Sequence, residues 1–337
     1  MLERSKINHD EVLYDNFCKG VKISLNKSAT WKIMNRSWGD KTHRICSYTA
    51  MFPPALARYF IEKYSSKNDT VLDTFSGRGT TVLEARLLNR RAFAMDLNPL
   101  AYVLSRAKAK SFREKKLLRR VSNLEKEFYS YSNKVDITSH KLNSLKTYYS
   151  DENLRQIIFL KDKLGINHLS LDYIDNYILA ITLGLMHGPM RKNGESIYFS
   201  LHMSNHTSMS ENYVRKYAKK NCLEKPVDNI FEKISRRITT IFSRSEYSTN
   251  NAIVKIGNAL EASKHFKIRP KLILTSPPYL NLVNYTQQNW IKMWMLGYEN
   301  RYDNKNIGID DKHKENSYEK FICGYLYEIS KIFFKKH

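Results

Sequence analysis

Four consecutive residues, Ser276-Pro277-Pro278-Tyr279, set a hydroxyl, two imino acids and an aromatic ring directly after the run Leu272-Ile273-Leu274-Thr275. Proline has no backbone N–H and a fixed φ, so two in a row form a stiff corner that offers only carbonyl acceptors. The apolar run reads as a strand that delivers this corner. Acceptors there can grip the N–H bonds of an amino group while a ring stacks on its flat face. A nucleobase is the flat group that suits such a corner best. The bland alternative is a strand ending in a tight turn, with Tyr279 merely packed.

A second constellation lies at Thr70-Val71-Leu72-Asp73-Thr74-Phe75-Ser76-Gly77-Arg78-Gly79-Thr80-Thr81, where a short strand runs into a glycine loop and then into the helical spacing of Val82–Leu88. Such a unit lets a ligand approach the backbone beside a helix N-terminus. No Gly-Lys-[Ser/Thr] follows, which disfavours a phosphate-gripping loop. Asp73 ends the strand, placed to take an ammonium group. A further strand, Arg91–Asp96, ends in a second acid about twenty residues on, where a doubly wound sheet holds the two hydroxyls of a ribose. A ligand with an amino acid at one end and a ribose at the other, S-adenosylmethionine, fits the pair; a dinucleotide fold is the competing reading.

Together the two motifs resemble those of the amino-methylating (N4-cytosine/N6-adenine) site-specific DNA methyltransferases, Ser-Pro-Pro-Tyr type. The resemblance covers roughly residues 43–110 and 251–337. It implies an α/β fold, a Rossmann-like S-adenosylmethionine-dependent methyltransferase sheet, with Ser276, Pro277, Pro278 and Tyr279 catalytic. In that family the serine form usually accompanies cytosine N4 methylation, and adenine N6 is the alternative. The resemblance assigns the cofactor to Asp73, Phe75, Gly77, Gly79, Thr80 and Asp96. It adds Phe52 and Pro53 from the segment His43–Ile61, which leads a helix across the methionine end, and Asn258, where the family often has an Asp against the adenine amino group. No metal is expected. The modification enzyme of a restriction–modification system, with a cognate restriction endonuclease as genetic partner, is the implied setting.

The elements that must position these residues divide the chain into an N-terminal segment (1–42), a cofactor-binding part (43–110), an insertion (111–250) and a catalytic part (251–337). About 140 residues separate the second strand's helix from the third strand, Ala252–Ile256, far more than a crossover needs. Helical spacing at Leu142–Leu164 and Tyr173–Met186 makes the insertion mainly helical. It opens on a basic stretch, Arg106–Arg120. Further on, over Met190–Pro226, it interleaves cations, hydroxyls and amides (Arg191, Lys192, His202, Asn205, His206, Thr207, Ser208, Arg215, Lys216, Lys219) with aromatics (Tyr198, Phe199, Tyr213, Tyr217), a mixture suited to phosphates and base edges. Lys and Arg number 56 against 33 Asp and Glu, a net charge of +23. Such an excess favours a polyanion through counterion release, and double-stranded DNA is the expected partner. Codon bias toward Lys, Asn, Ile and Tyr would raise the same number.

After the corner, Trp290 and Trp294 share one face of a short helix, read as core, and Asn281, Asn284 and Tyr285 are candidates for a base pocket. The chain closes on an amphipathic helix, Tyr318–Ile329, before the later strands that the fold normally carries. Leu272–Leu274 is therefore expected at an apolar parallel edge. A truncated gene, a second chain completing the sheet, or the first forty residues folding back with a strand at Val21–Leu25 would each account for it. Four scattered cysteines suggest neither zinc nor disulfides. Without a signal-like or membrane-length apolar run, the cytoplasm is expected and no membrane partner. Rival readings are an RNA base methyltransferase and a DNA-binding subunit inactive alone.

Overall fold

Short apolar runs pair side by side, Thr70–Asp73 and Arg91–Asp96 across an ordinary crossover and the other neighbours across the long insertion. β1 (Thr70–Asp73), β2 (Arg91–Asp96), β3 (Ile253–Ile256) and β4 (Leu272–Ile273) form a parallel sheet in the order β3-β2-β1-β4. The register sets Val71 beside Ala92 and Leu272, and Ala94 beside Val254. The computed structural model describes residues 38–48, 52–131, 135–139, 142–190, 196–243, 246, 248–278, 288–298 and 315–333, all within one compact unit, Arg36–His337. Tyr279, Asn281, Asn284, Tyr285, Arg191, Lys192 and the strand expected at Val21–Leu25 lie outside the described residues.

A parallel sheet buries both faces, and alternate residues supply them. On one face Val71, Ala92 and Ala94 pack with Ile61 of α1 (Pro54–Tyr64) and with Val82 and Ala85 of α2 (Thr80–Leu87). On the other, Leu72 and Met95 meet Ala262, Phe266 and Ile332. Ile332 belongs to the terminal helix, which runs longer than its sequence pattern suggested, over Glu315–Phe333. Ile273 turns to that second face, Leu272 and Leu274 to the first, all half-buried. Among the described residues β1 is the strand partner of β4.

The described part of the insertion is helical, with no strand of its own: α4 (Glu114–Tyr131), α5 (Asp151–Leu160), α6 (Tyr173–Leu185), α7 (Glu211–Lys220) and α8 (Ile230–Phe242). In α4 the buried residues Leu117, Val121, Leu124 and Phe128 fall on one stripe, as an amphipathic helix requires. The helical spacing at Leu142–Leu164 is broken at Ser150, whose hydroxyl accepts the Asn153 N–H and starts α5. α6, mostly apolar and largely buried, lies between α3 (Pro99–Ala107) and α8. Through it the insertion shares one buried cluster with Ile45, Leu100–Leu104 and α9 (Trp290–Met295). Trp290 and Trp294 are buried there, the role their spacing predicts.

Candidate active site

The strand order reverses between β1 and β4: the chain leaves β1 for β2 on one side and returns to β4 on the other. In an open parallel sheet such a switch point opens a crevice beyond the carboxyl ends of the strands. Asp73 and the corner Ser276–Pro278 face each other across it, and Asp96 ends the next strand. Phe75, Gly77, Asp96, Asn258, Ser276, Pro277 and Pro278 are half-buried, whereas the residues that hold them are buried.

Thr275 joins the two motifs, and the sequence reading assigned it nothing. Its hydroxyl donates to Asp73 Oδ1 at 2.7 Å and accepts the Phe75 N–H at 3.0 Å. Asp73 also receives the Phe75 N–H at 3.2 Å. Burial pushes its carboxyl up to about 6, against the hydroxyls of Thr275 and Thr81 and the Phe75 amide, which favour the ionised form. Asp96 is likewise pushed up to about 6, mainly by burial. It accepts the Gly77 N–H at 2.8 Å and the Asn98 N–H at 2.9 Å, and the nearby Asp73 adds repulsion. Two carboxylates raised by burial, at neighbouring strand ends, are receptive to a cation and to hydroxyl donors.

The glycine loop is fastened from beneath. Gly77 and Gly79 have φ of +50° and +78°, a region that favours glycine. A Cβ on Gly79 would lie 2.7 Å from the Ser105 Cα, so a side chain is excluded on both counts. Ser105 Oγ donates toward Ser76 Oγ (2.9 Å) and the Gly77 carbonyl (3.1 Å). Arg78 turns inward, donating to the His43 carbonyl and to Thr80 Oγ1. Lys108 Nζ donates to the Arg78 carbonyl; burial, then repulsion from Arg78, lowers that ammonium to about 7. Thr80 Oγ1 in turn donates to the Phe52 carbonyl at 3.2 Å, which brings the segment before α1 to the loop. Pro53 is exposed and serves as the residue before α1. His43, Glu84 and Arg58 fix α1 against α2: His43 Nε2 lies 2.7 Å from Glu84 Oε1, and burial raises that carboxyl to about 7.

The donor set fits S-adenosylmethionine: one buried acid for an ammonium, a second for a ribose, and between them a glycine loop whose Gly77 is half-buried at the crevice. Asn258 is engaged in part, since its Oδ1 accepts the Leu260 N–H at 2.9 Å and caps a short turn. One lone pair of that oxygen is left for an adenine amino group.

The corner itself is held by the terminal helix, a contact no local motif announced. Tyr318 Oη donates to the Pro278 carbonyl at 2.8 Å. One turn apart along the same helix face, Phe321 and Tyr325 meet Phe75 edge-on at 6.0 and 5.0 Å, and Tyr325 Oη lies 2.6 Å from Thr74 Oγ1. The Pro277 carbonyl has no donor among the described residues. On the far side, buried Lys292 of α9 donates to the Ser47 carbonyl at 2.9 Å. The neighbouring Tyr48 lies over Gly77, and its hydroxyl accepts from Asn98 Nδ2 at 3.4 Å. Signals for Tyr318, Tyr325 and Lys292 in the sequence were limited to their places on helical faces.

A family model described as DNA methylase matches residues 5–106, which include the glycine loop and Asp96 and stop short of Ser276. Over 329 residues the chain is 23% identical to the Type II methyltransferase M.MvaI of Kocuria varians, covering 94% of this chain and 68% of that protein. It is 26% identical over 134 residues to the Type II methyltransferase M.MjaII of Methanocaldococcus jannaschii, 39% of this chain and 22% of that protein. Over 119 residues it is 29% identical to the Type II methyltransferase M.BsoBI of Geobacillus stearothermophilus, 35% of this chain and 23% of that protein. No solved structure matches the chain. With its acids at adjacent strand ends and its glycine loop inside the matched segment, the chain is similar over that segment to the amino-methylating DNA methyltransferases, a family whose methyl donor is S-adenosylmethionine.

Proposed function

We propose that this chain methylates the exocyclic amino group of a base within a specific DNA sequence, cytosine N4 in the first instance, as the modification enzyme of a restriction–modification system. The observation that carries the reading is the Thr275 bridge. A hydroxyl immediately before Ser276 is bonded to the acid of the cofactor motif, so corner and cofactor loop are parts of one crevice.

S-adenosylmethionine supplies an electrophilic methyl when bound. Asp73 would hold its ammonium and Asp96 its ribose hydroxyls, with half-buried Gly77 letting the loop backbone approach it and Gly79 letting the loop pack on Ser105. The target base must leave the stack to reach the corner. An aromatic amine is a weak nucleophile because its lone pair is delocalised into the ring. Ser276 Oγ and the Pro277 carbonyl accept its two N–H bonds and favour a pyramidal nitrogen whose lone pair points at the methyl. Tyr318, by occupying the Pro278 carbonyl, holds the corner so that the Pro277 carbonyl faces the substrate. Tyr279 covers the base. Serine is too weak a base to deprotonate the amine first, so alignment does most of the catalytic work and the proton leaves after transfer. Serine at the head of the corner favours cytosine N4 over adenine N6.

Incubating the purified chain with S-adenosylmethionine and unmethylated bacterial DNA, followed by nucleoside mass spectrometry, tests this. N4-methylcytosine is the expected product, and N6-methyladenine would correct the base. No modified nucleoside, with cofactor bound, would replace the reading by a DNA-binding subunit that requires another chain. Duplex DNA should also outcompete structured RNA as substrate; the reverse would favour an RNA base methyltransferase.

A further inference from the structure

Two stretches rich in cations lie in or beside the insertion, and the fold treats them differently. The first, Arg106–Arg120, opens where the Ala109 carbonyl accepts the Ala252 N–H at 2.8 Å, one residue before β3 begins. That is the end of the sheet opposite Ser276. Four of its cations, Arg106, Lys108, Lys110 and Arg120, serve the protein's own packing, and Arg113, Lys115, Lys116 and Arg119 are exposed at that far end. Arg106 and Lys110 lie 4.4 and 3.9 Å from the centre of the Tyr173 ring, and Lys108 is buried beneath the glycine loop. Arg120 grips both oxygens of Asp175, at 2.8 and 3.1 Å.

α7 is built the other way. Val214 is its buried residue, and Ser210 caps its start. Tyr213, Arg215, Lys216, Lys219 and Lys220 face solvent. Among the described residues no acid pairs with Lys216, Lys219 or Lys220. Lys216 and Lys220 stand one turn apart, an arrangement of like charges that a helix does not favour by itself. Beside them the Tyr213 and Tyr217 rings stack at 5.8 Å with 11° between their planes, and His202 meets Tyr217 edge-on. The positive face continues past Arg215 into a groove of about 610 Å³ that also carries Lys146 and Lys225.

A continuous series of contacts runs from α7 to the crevice. In the loop before α7, the Ser208 N–H donates to the Gln288 carbonyl at 2.7 Å, and the Met209 carbonyl accepts from Trp290 Nε1 at 3.4 Å. Lys292, two residues on from Trp290, reaches Ser47, and Tyr48 lies against Gly77. The loop before α7 is thus tied to the segment that follows the Ser276–Tyr279 corner, and that segment to the cofactor loop.

We propose that the exposed face of α7 is the docking surface for the sugar–phosphate backbone of duplex DNA, with Lys216, Lys219 and Lys220 on phosphates and the stacked tyrosines as a rigid platform beside them. The stretch Arg106–Arg120 does not share this role. The proposal rests on the reading of the chain as a DNA methyltransferase and names where its substrate binds. Unpaired, exposed cations match a polyanion in charge, and release of its counterions drives such binding.

The test is fluorescence anisotropy of the full chain with a labelled DNA duplex across a salt series, no cofactor added. The K216A/K219A/K220A variant is expected to bind roughly tenfold or more weakly and to lose about three from the slope of log affinity against log salt. K115A/K116A/R119A, which removes exposed cations of α4 in the first stretch, is expected to bind as the unmodified chain does. Unchanged affinity and slope in the α7 variant, or an equal loss in both, would overturn the proposal. Should the alanine variant misfold, K216Q/K219Q/K220Q keeps the aliphatic stems and gives the same reading. No turnover is measured, so a chain that never methylates can still show α7-dependent binding. Conversely, a methylating chain whose α7 variants bind normally refutes the surface alone.

Discussion

The glycine loop and α7, the surfaces proposed for the two substrates of one reaction, are built in opposite ways. In the loop nearly every polar atom is committed: Gly77 N–H to Asp96, the Gly77 carbonyl to Ser105, the Arg78 carbonyl to Lys108, Thr80 to Phe52. On α7 the side chains that would do work stand in solvent, with Val214 as the anchor. A small zwitterion with a fixed shape needs donors and acceptors pre-set in a buried cradle, because desolvated polar groups are costly when misplaced. A polyanion of repeating charge is met by mobile cations, whose gain comes from released counterions rather than from fixed geometry. Substitutions in the first region should therefore act through folding and cofactor affinity. Those in the second should act through DNA affinity and leave the fold intact.

The sharpest way to break the first region is Gly79→Ala, which combines a left-handed backbone with a clash at Ser105. A loss of about 2–4 kcal/mol is expected from strain plus overpacking, read by urea denaturation; a neutral result would mean the loop is not as tightly held as its contacts imply. Ser276→Ala should slow methyl transfer about a hundredfold through lost alignment while cofactor binding, followed calorimetrically, is retained. Unchanged turnover would remove the role assigned to this hydroxyl.

Thr275→Val deletes the bridge and keeps the shape. A loss of about 1–3 kcal/mol follows from leaving Asp73 and the Phe75 N–H under-satisfied, and cofactor affinity should fall with stability. If only stability fell, the bridge would be structural.

Titration gives a smaller effect. Asp73 and Asp96 are held near 6 in the free protein, above the usual carboxylate range, so they are charged above that pH and neutral below it. A cationic ammonium binds the charged form of Asp73. Cofactor affinity should therefore rise between pH 5 and pH 7, by about tenfold for the one group, and level off above. The free protein loses stability over the window from the usual carboxylate value up to about 6, as pH rises and these buried acids ionise. An affinity flat from pH 5 to 8 would show that Asp73 does not hold the ammonium. The smallest effect belongs to α7: Lys219→Ala should shift stability by no more than about 0.5 kcal/mol, and a larger destabilisation would show that the helix face is part of the fold after all.

Much of the core was legible beforehand because its signals are local. A strand, a glycine loop with positive φ and a helix beginning at Thr80 follow one another in the chain, and the period-two alternation of Val71/Leu72 and Ala92/Phe93 announces the two buried faces. The helical insertion, the amphipathic terminal helix and the buried pair Trp290 and Trp294 were readable from 3.6-residue spacing for the same reason. Ser276-Pro277-Pro278-Tyr279 was visible because proline chemistry does not depend on context.

What only the tertiary structure decided is which distant groups meet. Thr275 reaches Asp73 across about 200 residues because β4 returns to the side of β1 away from β2, a choice of strand order that no short pattern encodes. Tyr318 meets Pro278 because the terminal helix covers the face that carries Leu72 and Met95. Composition marked Arg106–Arg120 as basic and Met190–Pro226 as cations interleaved with aromatics, and could not tell which cations would be available. Charge in a sequence is a sum, whereas its availability depends on which cations find an aromatic ring or a carboxylate when the chain folds. Packing engages Arg106, Lys108, Lys110 and Arg120 of the first cluster and leaves Arg113, Lys115, Lys116 and Arg119 exposed at the far end of the sheet, whereas the cations of α7 all face solvent on the side tied to the crevice.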